Sequence, residues 1–451
     1  MNIVIVGVGK LGKKITQHLV EENHDVTIID NNSNRIEEIV NEFDVVGYCG
    51  NGASYETQTN ALVEKADVLI ATTPSDELNI LCCLVAKKIG VKQTIARVRN
   101  PEYENQVSLM NNELGISLTI NPERESAKEI ARILQYPGAL KVETFANGKV
   151  CLLEIKLEKG SSLHNRSLSL FREKYSNILV CAVKRNNQII IPKGDFVLKE
   201  NDYIYITAAA SDSSKLLKNL GIISEKTKST MIIGGGKISY YLAEELIDYG
   251  ITVKIIENKM QRCEELSEML PKAIVVYGDG TNNRILLEEG IERVDSLVSL
   301  TSMDEANIII STFAKSVNCG KVITKVNNAN YTSILGQIGL ESVISPKDVS
   351  SSNVIRYVRG ISSDNRSSEF KTLYKLVDNK IEALEFFISK ETKYTDIPIK
   401  DLKLKQNILL SCIIRNNEII IPQGKDCIKQ FDTLVIIATD STITDVEDIM
   451  E

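Results

Sequence analysis

The chain has 451 residues, and the usual size of roughly 100–200 residues per domain predicts three or four folded units. Its 53 basic and 60 acidic residues leave a net charge of -7, which argues against a general nucleic-acid-binding protein. The longest apolar run, Ile80 to Ala86, is far shorter than the roughly 20 residues that cross a bilayer, so any membrane role would come through a partner.

The N-terminal segment, from Met1 to Asp30, predicts a dinucleotide-binding unit. A strand begins at residue 3, which leaves no room for a signal peptide. It leads into Gly7-x-Gly9-x-x-Gly12, an amphipathic helix and a second strand that ends on Asp30. In such a unit the glycines let the backbone approach a pyrophosphate, the helix N-terminus attracts it, and an acid at the end of the second strand binds the ribose diol.

The same pattern predicts an open parallel sheet up to about residue 120. The predicted strands are 3–6, 26–29, 45–46, 66–72, 94–98 and 118–120, with a helix opened by Ser33 and another from Asn121-Pro122 to about Gln135. The last helix could dock on its own sheet or cross to a partner protomer. Thr72 ends the fourth strand and Thr73 and Pro74 follow it, at the edge where such sheets bind ligands. Asp76 and Glu77 then favour a helix N-terminus or form a subunit contact.

A different pattern begins near residue 139. Short alternating runs at 151–155, 178–183, 189–191 and 203–206, separated by polar turns, predict a small β-rich lobe. Asn186-Asn187 lies between two of these runs and is typical of a hairpin turn.

The whole plan is then repeated. Gly7 and Gly9 recur in the second glycine turn, Gly234-Gly235-Gly236, and Glu257 takes the place of Asp30. The segment with Asn51 recurs with Asp279, and Arg97 recurs as Lys325. The Arg-Asn-Asn-x-Ile-Ile-Ile-Pro segment of the small lobe also recurs at a nearly constant offset. The sequence is therefore a tandem duplication of a two-part unit, joined by a polar stretch at 225–229.

The sequence allows two different roles for several side chains. Lys10 either reaches a phosphate from the helix N-terminus or is a solvated lysine. Arg97, inside an apolar strand, contacts a phosphate or another lobe, or forms a structural ion pair. In the second copy Ser239 replaces the third glycine. Acids at both ribose positions repel a 2′-phosphate and favour NAD(H) or an adenosine nucleotide over NADP.

Other chemistry has weaker support. The nine cysteines show no C-x-x-C spacing, which favours free buried thiols over disulfides or a metal site. The three histidines, His18, His24 and His164, fall in no motif that would exchange a proton with a substrate. We therefore expect neither a catalytic residue nor a metal.

Together, the doubled glycine turns, the GNGAS and GDGTN turns, the SDELN and MDEAN stretches, Tyr136-Pro137-Gly138-Ala139 and the paired IIIP-x-G segments resemble the TrkA family, the peripheral regulatory subunits of Trk-type potassium uptake systems. The resemblance covers essentially the whole chain. It implies two RCK units (regulator of K⁺ conductance), each a Rossmann-like RCK-N lobe, a doubly wound parallel α/β sheet, followed by a small α+β RCK-C lobe. The implied domains are 1–122 (RCK-N 1), 123–138 (crossover helix), 139–224 (RCK-C 1), 229–345 (RCK-N 2), 346–368 (crossover helix and linker) and 369–451 (RCK-C 2).

The resemblance also implies a function. Such proteins are cytoplasmic and peripheral on the inner face of the membrane, assemble as dimeric or tetrameric gating rings, and bind NAD(H) and ATP or ADP to control a potassium-translocating subunit of the TrkH or TrkG type. Cyclic di-AMP is a further candidate ligand at the RCK-C lobes. The alternatives are an RCK regulator of another K⁺ channel or antiporter, or a soluble NAD-dependent oxidoreductase. The candidate nucleotide-binding residues are Gly7, Val8, Gly9, Lys10, Leu11, Gly12, Asp30, Asn51, Thr72, Thr73, Pro74 and Arg97 in the first copy, and Gly234, Gly235, Gly236, Glu257, Asp279 and Lys325 in the second.

Overall fold

The structure is a computed structural model that describes every residue except 162, 176, 187, 221, 223–225, 329–330, 332–333, 363–367, 377–380, 440–442 and 444. Asn187 of the predicted hairpin, the start of the 225–229 stretch and most of the 362–368 linker lie outside the described residues. Two compact units are present: Met1–Ser126 with Ser345–Val358, and Ala127–Ile344 with Arg359–Glu451. Among the described residues, no helix has both the length and the hydrophobicity of a membrane span.

The first unit is built on a six-stranded parallel sheet, as predicted. Its strands are β1 Asn2–Val6, β2 Asp25–Asp30, β3 Val46–Cys49, β4 Val68–Ala71, β5 Gln93–Arg97 and β6 Leu118–Ile120, in the order β3-β2-β1-β4-β5-β6. The helices are α1 Lys10–Glu21, α2 Ser33–Glu42, α3 Tyr55–Asn60, α4 Asp76–Ile89, α5 Val107–Asn112 and α6 Pro122–Gln135, with 3-10 turns at Val63–Lys65 and Pro101–Gln106. The cap of α2 is Asn32, one position before the predicted Ser33, because its side chain accepts the N–H groups of Asn34 and Arg35.

The first small lobe is a five-stranded antiparallel sheet. Its strands are β7 Lys141–Phe145, β8 Val150–Lys156, β9 Ile178–Arg185, β10 Gln188–Ile190 and β11 Tyr203–Ala209, in the order β10-β9-β11-β8-β7, and its helices are α7 Leu168–Lys174 and α8 Ala210–Asn219. Strand β7 was not predicted. Its sequence, Lys-Val-Glu-Thr-Phe, buries both Val142 and the neighbouring Glu143, whose carboxylate pairs with Lys141 at 3.0 Å, so simple alternation does not reveal it.

The second Rossmann-like lobe repeats the first sheet strand for strand. Its parallel strands are β12 Ser229–Ile233, β13 Thr252–Glu257, β14 Ile274–Tyr277, β15 Ser296–Ser299, β16 Lys321–Lys325 and β17 Val343–Ile344, in the order β14-β13-β12-β15-β16-β17. The helices are α9 Lys237–Asp248, α10 Met260–Met269, α11 Asn283–Glu288, α12 Asp304–Ser316 and, after the sheet, α13 Pro346–Ser362, with a 3-10 turn at Ile291–Arg293.

The second small lobe packs its sheet against that of the first. Its strands are β18 Ser368–Leu376, β19 Ile381–Ile388, β20 Ile408–Arg415, β21 Glu418–Ile420 and β22 Thr433–Ala438, in the order β18-β19-β22-β20-β21, with 3-10 turns at Ile399–Asp401 and Val446–Ile449. Leu152 and Tyr205 of the first lobe share one buried cluster with Ile381 and Ile437 of the second. The duplication therefore folds as an internal pair of small lobes.

The crossover helices α6 and α13 are exchanged between the two copies, an arrangement that was not predicted. Residues 346–358 of α13 belong to the unit of the first Rossmann-like lobe, where Ser351 hydrogen-bonds His18 Nδ1 at 2.7 Å and Tyr357 donates to Gln93 at 2.8 Å. From Ala127 onward α6 belongs to the other unit, and Thr227 donates to the carbonyl of Leu134 there. Residues 346–358 thus pack on the first Rossmann-like lobe, and α6 from Ala127 onward belongs to the unit that contains the second.

Candidate nucleotide-binding clefts

The three glycines of the first turn have three different roles. Gly7 has φ +87°, and a Cβ there would lie 2.7 Å from the backbone nitrogen of Thr73. A Cβ on Gly12 would lie 2.2 Å from the carbonyl oxygen of Gly7, so glycine allows helix α1 to approach the turn. Gly9 has ordinary dihedral angles and open space around it. Of the three glycines, Gly9 is therefore the one that the fold itself does not require. Its missing side chain leaves space for the approach of a phosphate.

The acid at the end of β2 is bound to the glycine turn itself. Asp30 is buried and accepts the N–H of Val8 at 2.8 Å and the N–H of Asn32 at 2.9 Å. Glu257 repeats this arrangement with the N–H groups of Gly235 at 2.6 Å and Lys259 at 2.9 Å. A carboxylate has about four acceptor positions, so each acid retains acceptor capacity for a ribose diol while it orders the turn.

The segment after β4 is held by an asparagine that the sequence analysis did not select. Asn79 accepts both the N–H and the hydroxyl of Thr73 at 2.7 Å, and donates to the carbonyls of Thr73 and Arg97. Asn307 makes the same four bonds to Thr301 and Lys325 in the second copy. The repeated Asp-Glu-x-Asn motif could have indicated this role, because only its last residue reaches both neighbouring strand ends.

The acidic residues of that motif are used within their own lobe. Asp76 is buried and accepts the backbone N–H groups of Arg99 and Asn100 at 2.8 Å. Glu77 accepts the hydroxyl of Tyr103 at 2.7 Å. Besides favouring the helix N-terminus, these carboxylates therefore fasten the segment after β5 to helix α4.

Arg97 lies at the end of β5 with a loosely bound guanidinium. Its side chain is 18% exposed, and its Nη2 lies 3.9 Å from Glu123 Oε1. Its Nε and Glu123 Oε2 are both buried and find no hydrogen-bond partner in the described part of the chain. Burial, together with the nearby Arg99, lowers the pKa of Arg97. The ion pair is present but poorly formed, so the guanidinium keeps donor capacity for an anion.

The other candidates of the first copy are placed around the turn. Lys10 is exposed as the first residue of α1, whereas the side chains of Val8 and Leu11 are buried, so these two can offer a ligand only their backbone. Thr72 donates its hydroxyl to the carbonyl of Gly7 at 2.7 Å. Asn51 accepts the N–H of Ala53 and shapes the turn after β3.

The second copy contains a cleft of about 510 Å³ at the carboxyl edge of its sheet. All six candidates of that copy line it. The residues around it are Ile233, Gly234, Gly235, Gly236, Ile256, Glu257, Asn258, Lys259, Arg262, Gly278, Asp279, Gly280, Thr281, Leu300, Thr301, Ser302, Met303, Ala306 and Lys325. Thr281 donates its N–H and hydroxyl to Asp279, which lowers the pKa of that acid. The cleft thus combines the backbone of the glycine turn, the buried acid Glu257 and several cations.

Comparison with known proteins supports the same architecture. The model of the TrkA-N domain matches residues 3–122 and 230–346, and that of the TrkA-C domain matches residues 152–221. The chain is 33% identical over 450 residues to a Trk system potassium uptake protein TrkA homolog of Archaeoglobus fulgidus, with 100% of both chains covered. It is 32% identical over 453 residues to the Trk system potassium uptake protein TrkA of Vibrio alginolyticus, covering 99% of this chain and 98% of the other.

Solved structures share the fold at low sequence identity. The GsuK channel bound to NAD superposes with a TM-score of 0.64 at 17% identity, covering 97% of this chain and 77% of the channel. The GsuK RCK domain superposes with a TM-score of 0.63 at 16% identity, covering 97% and 92%.

Proposed function

Because this chain belongs to the TrkA family of Trk system potassium uptake proteins, we propose that it is a cytoplasmic regulatory subunit that binds NAD(H) and ATP or ADP and thereby controls potassium transport. Its partner would be a membrane subunit of the TrkH or TrkG type, beneath which the chain assembles as a dimeric or tetrameric ring. It acts by binding and conformational change and performs no catalysis.

The observation that carries this proposal is the matched construction of the candidate sites at the two glycine turns, which are the first and the second cleft. Asp30 and Glu257 both bridge the second residue of the glycine turn and the segment that opens the next helix. Two copies of a preordered turn, each with a buried acid beside it, are what recognition of a ribose and a pyrophosphate requires. The GsuK channel, which has the same fold, binds NAD and supports this ligand class.

Nucleotides would act on the partner by population shift. A ligand that makes more contacts in one ring conformation than in another moves the equilibrium by its difference in affinity. A shift from 1:99 to 99:1 takes about 5.5 kcal/mol. Two clefts per chain, multiplied by the chains of a ring, can share this requirement in small steps.

Calorimetry of the full chain with NADH, NAD⁺, ATP and ADP tests the proposal. Asp30→Ala should weaken binding at the first cleft and blunt nucleotide-dependent K⁺ uptake in cells, because the ribose loses its acceptor. Asp44→Ala, an exposed acid of the same lobe, is the matched control and should behave as the wild type. Nucleotide control of uptake that survives Asp30→Ala unchanged would remove the first cleft from the mechanism.

We propose a second candidate ligand site between the small lobes. A cavity of about 710 Å³ is lined by Phe171, Arg172, Pro192, Leu409 and Gln423, among others. It combines apolar walls with a guanidinium, as binding of a cyclic dinucleotide would need, and cyclic di-AMP belongs in the same calorimetric series. Heat from cyclic di-AMP that disappears in Arg172→Ala would support it, and no heat in the wild type would exclude it.

The GsuK fold similarity also keeps a different K⁺ channel or antiporter as an alternative partner. Purification of the chain with its membrane partner separates this alternative from a Trk-type subunit. Sustained NADH oxidation with a small carbonyl compound would instead indicate an oxidoreductase.

A further inference from the structure

Arg262 is fixed at the mouth of the second cleft by hydrogen bonds on two sides. It lies in the first turn of α10, and its Nε donates to the carbonyl of Gly235 at 2.8 Å. Its Nη1 donates to Glu265 Oε2 at 2.7 Å. The side chain is 27% exposed and lines the cleft, so the guanidinium is accessible from the cleft.

The first copy differs from the second at this position. The residue equivalent to Gly235 is Val8, whose side chain is buried beside the turn, and the residue equivalent to Arg262 is Arg35, which is exposed. A Cβ on Gly235 would lie 2.6 Å from Leu266 Cδ1 and 3.0 Å from Glu257 Oε2. A side chain at position 235 would therefore meet Leu266 and Glu257, whereas Gly235 lets α10 lie close to the turn, where Arg262 reaches the carbonyl of Gly235.

The position of Arg262 corresponds to the base of a bound nucleotide. In this fold the phosphates lie at the N-terminus of the first helix, here at Gly236, and the ribose lies at the acid, here Glu257. The base then lies beyond the ribose, between the start of α10 and the turn at Gly278–Asp279. Arg262 forms the first side of this slot and Asp279 lies on the second, since both line the cleft.

We propose that Arg262 determines the specificity of the second cleft by stacking its guanidinium on the adenine base, so that this cleft binds adenine nucleotides more tightly than the first. This inference rests on the proposed function. A guanidinium on an aromatic face contributes enough binding energy for about a tenfold difference in affinity. The stacking contribution is the same for ADP and for the adenosine half of NAD(H), because both present the same base.

The test measures each cleft separately in the full chain. Gly9→Ala places a methyl group in the open space of the first turn and should weaken nucleotide binding at that cleft about tenfold or more, and Gly236→Ala should do the same in the second, so that the unaltered cleft dominates the measured binding. In the Gly9→Ala background, Arg262→Gln should lower the affinity for ADP about tenfold and leave that for inorganic diphosphate unchanged. Arg262→Lys keeps the charge without the planar group and should lose most of the same affinity. In the Gly236→Ala background, Arg35→Gln is the matched control and should change nothing.

Three results would overturn the inference. The first is an unchanged affinity for ADP in Arg262→Gln. The second is an equal loss for ADP and diphosphate, which would place the guanidinium at the phosphates. The third is a loss of affinity for NADP alone, measured in the same way, which would show that Arg262 binds a 2′-phosphate. A wild-type chain that binds no nucleotide at either cleft would instead refute the proposed function, and with it the premise of this inference.

Discussion

The hydroxyl of Ser239 donates to the carbonyl oxygen of Gly234 at 2.5 Å. In the first copy the equivalent carbonyl, that of Gly7, receives its hydrogen bond from Thr72 on the opposite side. The donor therefore differs between the copies. In the first copy Gly12 has no hydroxyl and Thr72 is the donor. In the second copy Ser239 is the donor, and Leu300 stands in the place of Thr72. The serine that replaces the third glycine thus preserves the geometry of the turn.

Removal of either hydroxyl should destabilise its own lobe. Ser239→Ala and Thr72→Val each leave a carbonyl of the glycine turn without its donor, at a cost of about 1–2 kcal/mol. The measurement is urea-induced unfolding of the full chain. Ser316→Ala, an exposed helical serine that donates to Phe313, is the control and should stay within about 0.5 kcal/mol. Equal stability of all three variants would contradict a structural role for these bonds.

Alanine at the second and third glycines of the first turn should have opposite effects. Gly12→Ala forces a methyl group against the carbonyl of Gly7 and should destabilise the chain by about 1–3 kcal/mol. Gly9→Ala meets open space, so the melting temperature should change little while nucleotide affinity at the first cleft falls about tenfold or more. Calorimetry and thermal melting of both variants check this. Wild-type affinity in Gly9→Ala would show that no phosphate approaches that position.

The stability of the second unit should depend on the ionisation of Lys321. Its ammonium group donates to the carbonyl of Ala139 at 2.5 Å, and burial lowers its pKa to about 8. In the unfolded chain a lysine titrates near a pKa of about 10.4. Between these values the unfolded state binds more protons, so this residue makes the free energy of unfolding rise as the pH rises from about 8 to about 10.4.

Lys321→Met removes this titration. The difference in unfolding free energy between wild type and Lys321→Met should therefore shift in favour of the wild type by about 1–3 kcal/mol between about pH 7.5 and about pH 10. Lys272→Met, at an exposed lysine, is the control for general effects of lost charge. A pH-independent difference for Lys321→Met would mean that the ammonium group is solvated.

Arg359 and Glu382 form a buried ion pair between α13 and β19. Two hydrogen bonds of 2.7 and 3.0 Å join them, and the side chains are only 5% and 3% exposed. Arg359→Met or Glu382→Leu alone leaves a buried charge without its partner and should cost about 3–5 kcal/mol. Arg359→Met combined with Glu382→Leu should recover most of this loss, because neither charge is then buried.

A double-mutant cycle measured by chemical denaturation gives the coupling energy of this pair. The exposed pair Arg284–Glu288, with side chains 84% and 58% exposed, is the internal reference and should give about 0.5 kcal/mol or less. Coupling equally small for Arg359 and Glu382 would show that water reaches the buried pair.

Much of the fold could be predicted because its signals are local. The apolar runs of parallel strands, the glycine turn and the nearly constant offset between the copies identify both Rossmann-like sheets and the duplication. Strand β7 was not predicted because Glu143 is buried next to Val142, so its residues do not alternate between buried and exposed. The buried carboxylate of Glu143 is stabilised by Lys141. The hydrogen bonds between Asn79 and Thr73 were also not predicted, because a side chain that hydrogen-bonds two strand ends leaves no periodic pattern in the sequence.

The sequence alone determined the tandem plan, the glycine turns and the acids at the ends of the second strands. Only the tertiary structure decided how α6 and α13 are divided between the two units. It also decided that Asp30 and Glu257 accept hydrogen bonds from their own glycine turns. Finally, it decided that Arg262 donates to Gly235 while Arg35 is exposed. The physical reason is that an amphipathic helix or a charged side chain specifies the kind of surface it needs, whereas the choice among similar surfaces depends on steric fit between residues far apart in the chain. In a duplicated sequence each crossover helix has two similar lobes available, so its own amphipathic pattern does not decide between them.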